Sequence, residues 1–184
     1  SCDLHTWDIA KRGVLQDHIP AWARDSVPGL RGDLWAPDII RYRDRWYMAY
    51  SCSTFGKNTS AIGLLSADRL SDNSAWRDEG CIIASREGRD NWNAIDPNFV
   101  IDDNGQPWLT YGSFWDGIQL LRLDTTLHAA VGARPFTIAR RYAKGTKRLP
   151  ANPTSDFAGP NAIEAPFIFK HRGWYYLFVS HDYC

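Results

Sequence analysis

A hairpin-sized string occurs three times in this chain, and that repetition restricts it to folds assembled from like units. The copies open at Trp35-Ala-Pro-Asp-Ile, Ile95-Asp-Pro-Asn-Phe and Glu164-Ala-Pro-Phe-Ile. Each runs through a polar turn into an aromatic strand: Arg45-Trp-Tyr-Met-Ala-Tyr, Gln106-Pro-Trp-Leu-Thr-Tyr and Gly173-Trp-Tyr-Tyr-Leu-Phe. Pro37, Pro97 and Pro166 stand 60 and 69 residues apart, a spacing that suits a decorated blade of a radial β-array. Such an array aims equivalent strands at one axis, so acids at their starts can converge from distant parts of the chain. Asp96 and Glu164 read as occupying matching places in two copies. Two carboxylates facing one cleft point to acid/base work on a glycosidic bond.

The flanking sequence reads as all-β, with nothing of helical period beyond about ten residues. Ile39 to Tyr42 and Trp46 to Ser51 form one predicted hairpin; Asn98 to Ile101 and Trp108 to Gly112 form another across Asp102-Asp-Asn-Gly, a strong hairpin turn signal. A third closes at His171-Arg-Gly. Further strand pairs follow the first two hairpins, at residues 60–66 with 81–84 and at 117–124 with 136–139. The units are then 35–94, 95–163 and the start of another at 164–184, while 1–34, with Leu4-His-Thr-Trp and Gly13-Val-Leu as outer strands, ends an earlier one. The Lys-, Pro- and Asn-rich stretch from Arg141 to Gly159 reads as a connecting surface loop. About three units would leave open sheet edges, so another segment, in the same gene product or a second chain, is expected to complete the array.

Composition removes several classes of partner. Lys plus Arg and Asp plus Glu number 21 each, so no global field gathers nucleic acid or an anionic membrane. No apolar run approaches the roughly 20 residues of a bilayer span. Nine Trp, eight Tyr and eight Phe exceed what a core of this size needs, and aromatic faces are what sugar rings stack on, although they also pack β-cores. Cys2, Cys52, Cys81 and Cys184 form no CxxC pair and have no His at ligand spacing, which argues against zinc and leaves three disulfide pairings or free thiols open. Ser1 is no initiator Met, so an export signal has been removed or lies outside this chain.

The chain resembles family 43 glycoside hydrolases, and within them the endo-1,5-α-L-arabinanases. Six strings carry the resemblance in order: Leu34-Trp-Ala-Pro-Asp-Ile, Thr59-Ser-Ala-Ile-Gly-Leu, Asn93-Ala-Ile-Asp-Pro, Tyr111-Gly-Ser-Phe-Trp-Asp-Gly-Ile, Ala162-Ile-Glu-Ala-Pro and Tyr175-Tyr-Leu-Phe-Val-Ser-His-Asp-Tyr-Cys. The resemblance implies a five-bladed β-propeller, of which this chain supplies about three blades, and hydrolysis of α-1,5-linked arabinan with inversion. It implies Glu164 as the general acid that protonates the departing oxygen, and Asp96 as the residue that tunes and orients that acid. The general base of the family commonly stands in a His-Asp-Pro string, which is absent here. Asp3, Asp8 and Asp33 do not precede a proline, so no base is assigned. Asn93, Ala94, Ile95, Ser113, Phe114 and Trp115, with Trp35 and Gly63, match positions lining the sugar site.

The family often carries an ion on the propeller axis, calcium or another. His5, His18, His128, His171 and His181 lack the matching context, so no cofactor and no metal ligand is expected from this chain. A polysaccharide substrate implies an extracellular or periplasmic enzyme. Arabinofuranosidase or xylosidase activity, or a non-catalytic carbohydrate-binding propeller fragment, are the alternative readings. Plainer roles compete for single residues. Asp96 before Pro97 can cap a turn, Trp46, Trp108 and Trp174 read as core, Asp38 as structural, and Arg140-Arg-Tyr-Ala-Lys with Lys147-Arg as a solvated loop face.

Overall fold

The structure is a computed structural model, described here for residues 1, 3–15, 18–142 and 162–182. Strands β1 (Leu34–Tyr42), β2 (Arg45–Cys52), β3 (Ser60–Ala67) and β4 (Arg77–Ser85) form one antiparallel sheet in sequence order. A second antiparallel sheet holds β5 (Asn98–Ile101), β6 (Pro107–Tyr111), β7 (Ile118–Arg122) and β8 (Phe136–Ala139), again in sequence order. The hairpin of β9 (Ile163–His171) and β10 (Trp174–His181) stands as a two-stranded sheet. The strands predicted from the repeat are all present, within a few residues at their ends.

Turn chemistry accounts for this order. In the β5–β6 hairpin the Asp102 carboxylate accepts from the Asn104 and Gln106 N–H groups and from Trp108 Nε1, while Gly105 supplies a left-handed φ of 76°. Asp103 then anchors the third hairpin: its N–H donates to the Tyr175 hydroxyl at 3.1 Å, and its carboxylate pairs with Lys170.

Two apolar layers hold the sheets. Ala49, Ile62, Leu64 and Ile82 of the first sheet face Phe99, Leu109, Tyr111 and Leu121 of the second. On its other face, Tyr50, Cys52, Ala61, Leu65 and Ala67 pack under the short helix α1 (Ala21–Ser26) and its flanks Val14, Leu15, Ile19 and Leu30. β3 is therefore buried along its whole length, which explains its unbroken run of small and apolar residues. Cys52 and Cys81 are free thiols. They lie on β2 and β4 with β3 between them, roughly twice the 4.7–4.9 Å strand spacing and beyond disulfide reach.

Gly63 belongs to this second layer. A Cβ there would stand 2.5 Å from Tyr50 Cζ, and Tyr50 is itself fixed in the core against Trp22, ring centroids 6.4 Å apart. The resemblance placed Gly63 among sugar contacts; its position instead serves close packing of an aromatic ring on a strand. Gly63→Ala is expected to cost about 1–3 kcal/mol by overpacking, lowering the melting midpoint by about 2–4 °C per kcal/mol. An unchanged thermal melt would show that the ring has room to move.

Other expectations need correction. Leu4-His-Thr-Trp and Gly13-Val-Leu form no strands; the 1–34 stretch contributes α1 and a layer of apolar side chains instead. Val14, Leu15, Ile19 and Leu30 find cover against the sheet face rather than a strand partner, while Leu4 and Trp7 are exposed. Trp174, expected in the core with Trp46 and Trp108, is 71% exposed. Trp46 sits on β2 and packs against the layer that includes α1, and Trp108 sits on β6 beside β7, whereas among the described residues β10 has only β9 beside it. Phe167, Phe169, Tyr176 and Phe178 are also exposed on this hairpin. The loop reading for Arg141 to Gly159 falls mostly outside the described residues. At its start, Arg140 and Arg141 are not simply solvated: Arg140 pairs with Asp116 at 2.5 Å, and Arg141 pairs with Asp182 at 2.6 Å and donates to the Ala162 carbonyl.

Candidate functional site

Asp96 and Glu164 approach one another at the openings of β5 and β9, but from positions one residue out of step. Ala36, Asp96 and Ala165, each just before its proline, all adopt left-handed φ values of 41°, 57° and 50°. Asp96 is thus the counterpart of Ala165, and Glu164 that of Ile95 and Trp35, which corrects the equivalence expected from the repeat. A non-glycine residue at positive φ is uncommon and costs energy. Its recurrence at one place in three units means the surrounding fold holds it there. This twist also interrupts the alternation of faces along the strand, with register shifts in the neighbouring β1–β2 and β9–β10 ladders.

One short segment clips the two openings together. After β6, the Gly112 N–H donates to the Ile95 carbonyl at 2.8 Å, the Phe114 N–H donates to the Ile163 carbonyl at 2.8 Å, and between them Ser113 Oγ donates to Glu164 Oε2 at 3.0 Å. The residue before each acid is therefore pinned by this segment. A direct link completes the arrangement, since Asp96 Oδ2 accepts from the Ala165 N–H at 3.1 Å. From the other side, Ser51 Oγ accepts the Asp96 N–H at 3.0 Å, and Trp35, half-buried, lies opposite Ser51 in the β1–β2 ladder.

The clip needs its own support. Phe114 and Trp115 are consecutive left-handed residues, φ 58° and 39°. Gly112 has φ 131°, and a Cβ there would strike the Gly117 carbonyl oxygen, so glycine is required. Asp116 closes the turn: its carboxylate takes the Arg140 guanidinium through Nε and Nη2 and the Thr137 hydroxyl at 2.6 Å, and its N–H donates to the Asn91 carbonyl.

Burial raises Asp96 to about 6, with the nearby Glu164 charge acting in the same direction and the Ala165 N–H opposing both. A carboxyl that changes charge in the weakly acid range beside a second carboxyl is suited to proton management. Burial also raises Asp38, opposed by hydrogen bonds from Phe99, Ile39 and Asn98.

Of the other expected site residues, Asn93, Ala94 and Ile95 are buried in the approach to Asp96, with the Ala94 N–H on Ser85 Oγ at 2.9 Å. Asn93 Oδ1 has no partner among the described residues. Phe114 is half-buried, and Trp115 is only 8% exposed, so Trp115 offers little of its ring as a stacking surface. Asp3 accepts from the His5 and Thr6 N–H groups in its own turn, which holds it down at about 2, while Asp8 and Asp33 are exposed. Among the described residues no three His, Cys, Asp or Glu side chains are grouped to hold a metal ion.

Ser51, Gly112, Asp116 and Arg140 were not singled out from sequence. Ser51 had a signal: it follows Trp46 by the interval at which Ser113 follows Trp108. Gly112 stood within the Tyr-Gly-Ser-Phe-Trp string, but its role depends on the backbone it touches.

Comparison with known proteins places the chain in a family. The family model described as "Glycosyl hydrolases family 43" matches residues 1–184. The extracellular exo-α-(1→5)-L-arabinofuranosidase ArbA of Cellvibrio japonicus is 40% identical over 187 residues, covering 100% of this chain and 52% of the relative. The extracellular endo-α-(1→5)-L-arabinanase 1 of Bacillus subtilis is 38% identical over 184 residues, covering 100% and 51%. The crystal structure of an exo-1,5-α-L-arabinanase from a bovine ruminal metagenomic library superposes with a TM-score of 0.79 at 51% identity, covering 92% of this chain and 53% of that one. The chain spans about half the length of the curated relatives it matches.

Proposed function

The chain belongs to glycosyl hydrolase family 43, and from that premise we propose that it forms the acid-bearing part of a hydrolase of α-1,5-linked L-arabinan that works with inversion. Glu164 is the general acid and Asp96 the group that tunes and orients it; the general base is assigned to no residue. The observation that carries this reading is the Gly112–Ser113–Phe114 clip. It draws half-buried carboxylates from two separate sheets to one place and sets a hydroxyl on one of them. Such placement serves proton delivery to a leaving oxygen, where geometry comes first. The relatives named above as arabinan-cleaving enzymes support the substrate class, and their extracellular names support secretion.

In this reading the two four-stranded sheets, within 35–94 and 95–163, are successive blades of a five-bladed propeller, and β9–β10 opens the next. A further segment then covers the aromatic faces of that hairpin. Half-buried Trp35 and Phe114 supply the apolar walls for furanose rings. An axial ion, where the complete propeller holds one, takes no ligand from this chain.

The test is product analysis with the full-length gene product on linear and debranched arabinan, with anomer detection by ¹H NMR in the first minutes. A ladder of arabino-oligosaccharides of inverted configuration is expected. Release of one short product from the start would favour exo action, a second reading that the 51% identical exo-arabinanase supports. Cleavage of aryl arabinofuranosides or xylosides alone would replace the substrate, and binding without cleavage would make this a carbohydrate-binding propeller.

A further inference from the structure

Asp38 and Asn98 each sit directly after a repeat proline, and each reaches into the next sheet. Asp38 Oδ2 accepts the Phe99 N–H at 2.7 Å and the Asn98 Nδ2 at 3.2 Å. Asn98 Oδ1 accepts the Ile168 N–H at 2.8 Å. In repeat terms, the residue after the proline grips the N–H of the residue two beyond the next proline, and it does so twice. Phe167, at the third such place, has no acceptor to offer.

The chemistry of the pair sets its direction. A carboxylate only accepts, so Asp38 must face the Asn98 NH₂, and the amide oxygen is left pointing at Ile168. Asn98 lies two residues past Asp96 and is buried; Ile168 lies four past Glu164. The link therefore ties the acid-bearing strands just behind their acids. We infer that Asp38 and Asn98 form a relay that sets the spacing between the openings bearing Asp96 and Glu164, which makes them positioning residues for the hydrolysis proposed above, on which this inference rests.

Replacing Asp38 in two ways tests it. In the full-length gene product, Asp38→Ala removes the acceptor, whereas Asp38→Asn keeps one side-chain oxygen able to accept both the Phe99 N–H and the Asn98 Nδ2. Asp38→Ala is expected to lower kcat on arabino-oligosaccharides about 10- to 100-fold, as small misplacements of reacting groups do, with KM within about two-fold. Asp38→Asn should stay within about three-fold of the parent on the same scale. If Asp38→Asn is as impaired as Asp38→Ala, if Asp38→Ala keeps full turnover, or if the loss falls in KM alone, the relay is overturned. If the parent cleaves no arabinan, the function proposed above fails, and the relay is judged by the Asp96 titration followed by ¹³C NMR. Asp38→Ala should move it down from about 6 as water enters, and Asp38→Asn should leave it near that of the parent. Identical titrations in all three proteins would overturn the relay whatever the turnover.

Discussion

Replacing Glu164 by Gln is expected to lower kcat on arabino-oligosaccharides about 10²- to 10⁴-fold, the range general acids supply, while substrate affinity stays close to that of the parent. Gln keeps the shape of the side chain, and its oxygen can still accept from Ser113 Oγ, now 3.0 Å from Glu164 Oε2. What it loses is the proton that must reach the leaving oxygen. The loss should therefore shrink on an aryl arabinofuranoside whose leaving group needs no protonation. Steady-state kinetics on both substrates checks this; an equal loss on each would mean that Glu164 serves binding or structure instead.

The Asp96→Asn variant is expected to lose turnover and gain stability at neutral pH. Asp96 is raised from 3.8 to about 6, chiefly by burial. Its folded form thus holds a proton more tightly than the unfolded chain does. The linked stability is fully present below about pH 4 and is lost as pH rises towards about 6, amounting to about 3 kcal/mol. Asn carries no charge to bury and can still accept the Ala165 N–H, so the variant should lack that pH-dependent loss. Melting midpoints at pH 4 and pH 7 measure it directly, and a difference as large in the variant as in the parent would rule out Asp96 as the source. Its turnover should fall at the same time, with the acid limb of the pH–rate profile displaced. Gain of stability with loss of activity is the usual mark of a group held against its own preference.

Much of this architecture was readable in the residues. The three prolines, the aromatic strands and the Asp102-Asp-Asn-Gly turn announce hairpins through local chemistry, and local chemistry is what a sequence displays. The one-residue offset between Asp96 and Glu164 stands in the sequence against Pro97 and Pro166, but how both acids still reach one place was not readable, because nothing about Ala36 or Ala165 signals a left-handed conformation; the fold imposes it. Gly63 was legible only as a match to a sugar-lining position, because the Tyr50 ring that packs on it comes from a neighbouring strand. Arg140 and Arg141 looked like loop surface because their partners, Asp116 and Asp182, lie far away in the chain. Acids flanked by apolar residues were the legible part of the candidate site, and the hydroxyls and N–H groups that address them were the part that required coordinates.

The clip after β6 also bears on how such proteins can be recombined. Each sheet is laid down from consecutive strands, so a boundary between sheets looks like a natural crossover point for shuffling related genes. Ser113 and Phe114, however, follow one sheet while gripping the beginning of the next, and Gly112 grips the start of its own. A chimera joined between them inherits Asp96 and the holder from one parent and Glu164 from the other. Segments exchanged as a block that runs from ahead of β5 into the β9–β10 hairpin keep the chemistry intact, because the heritable unit of catalysis straddles the unit of folding.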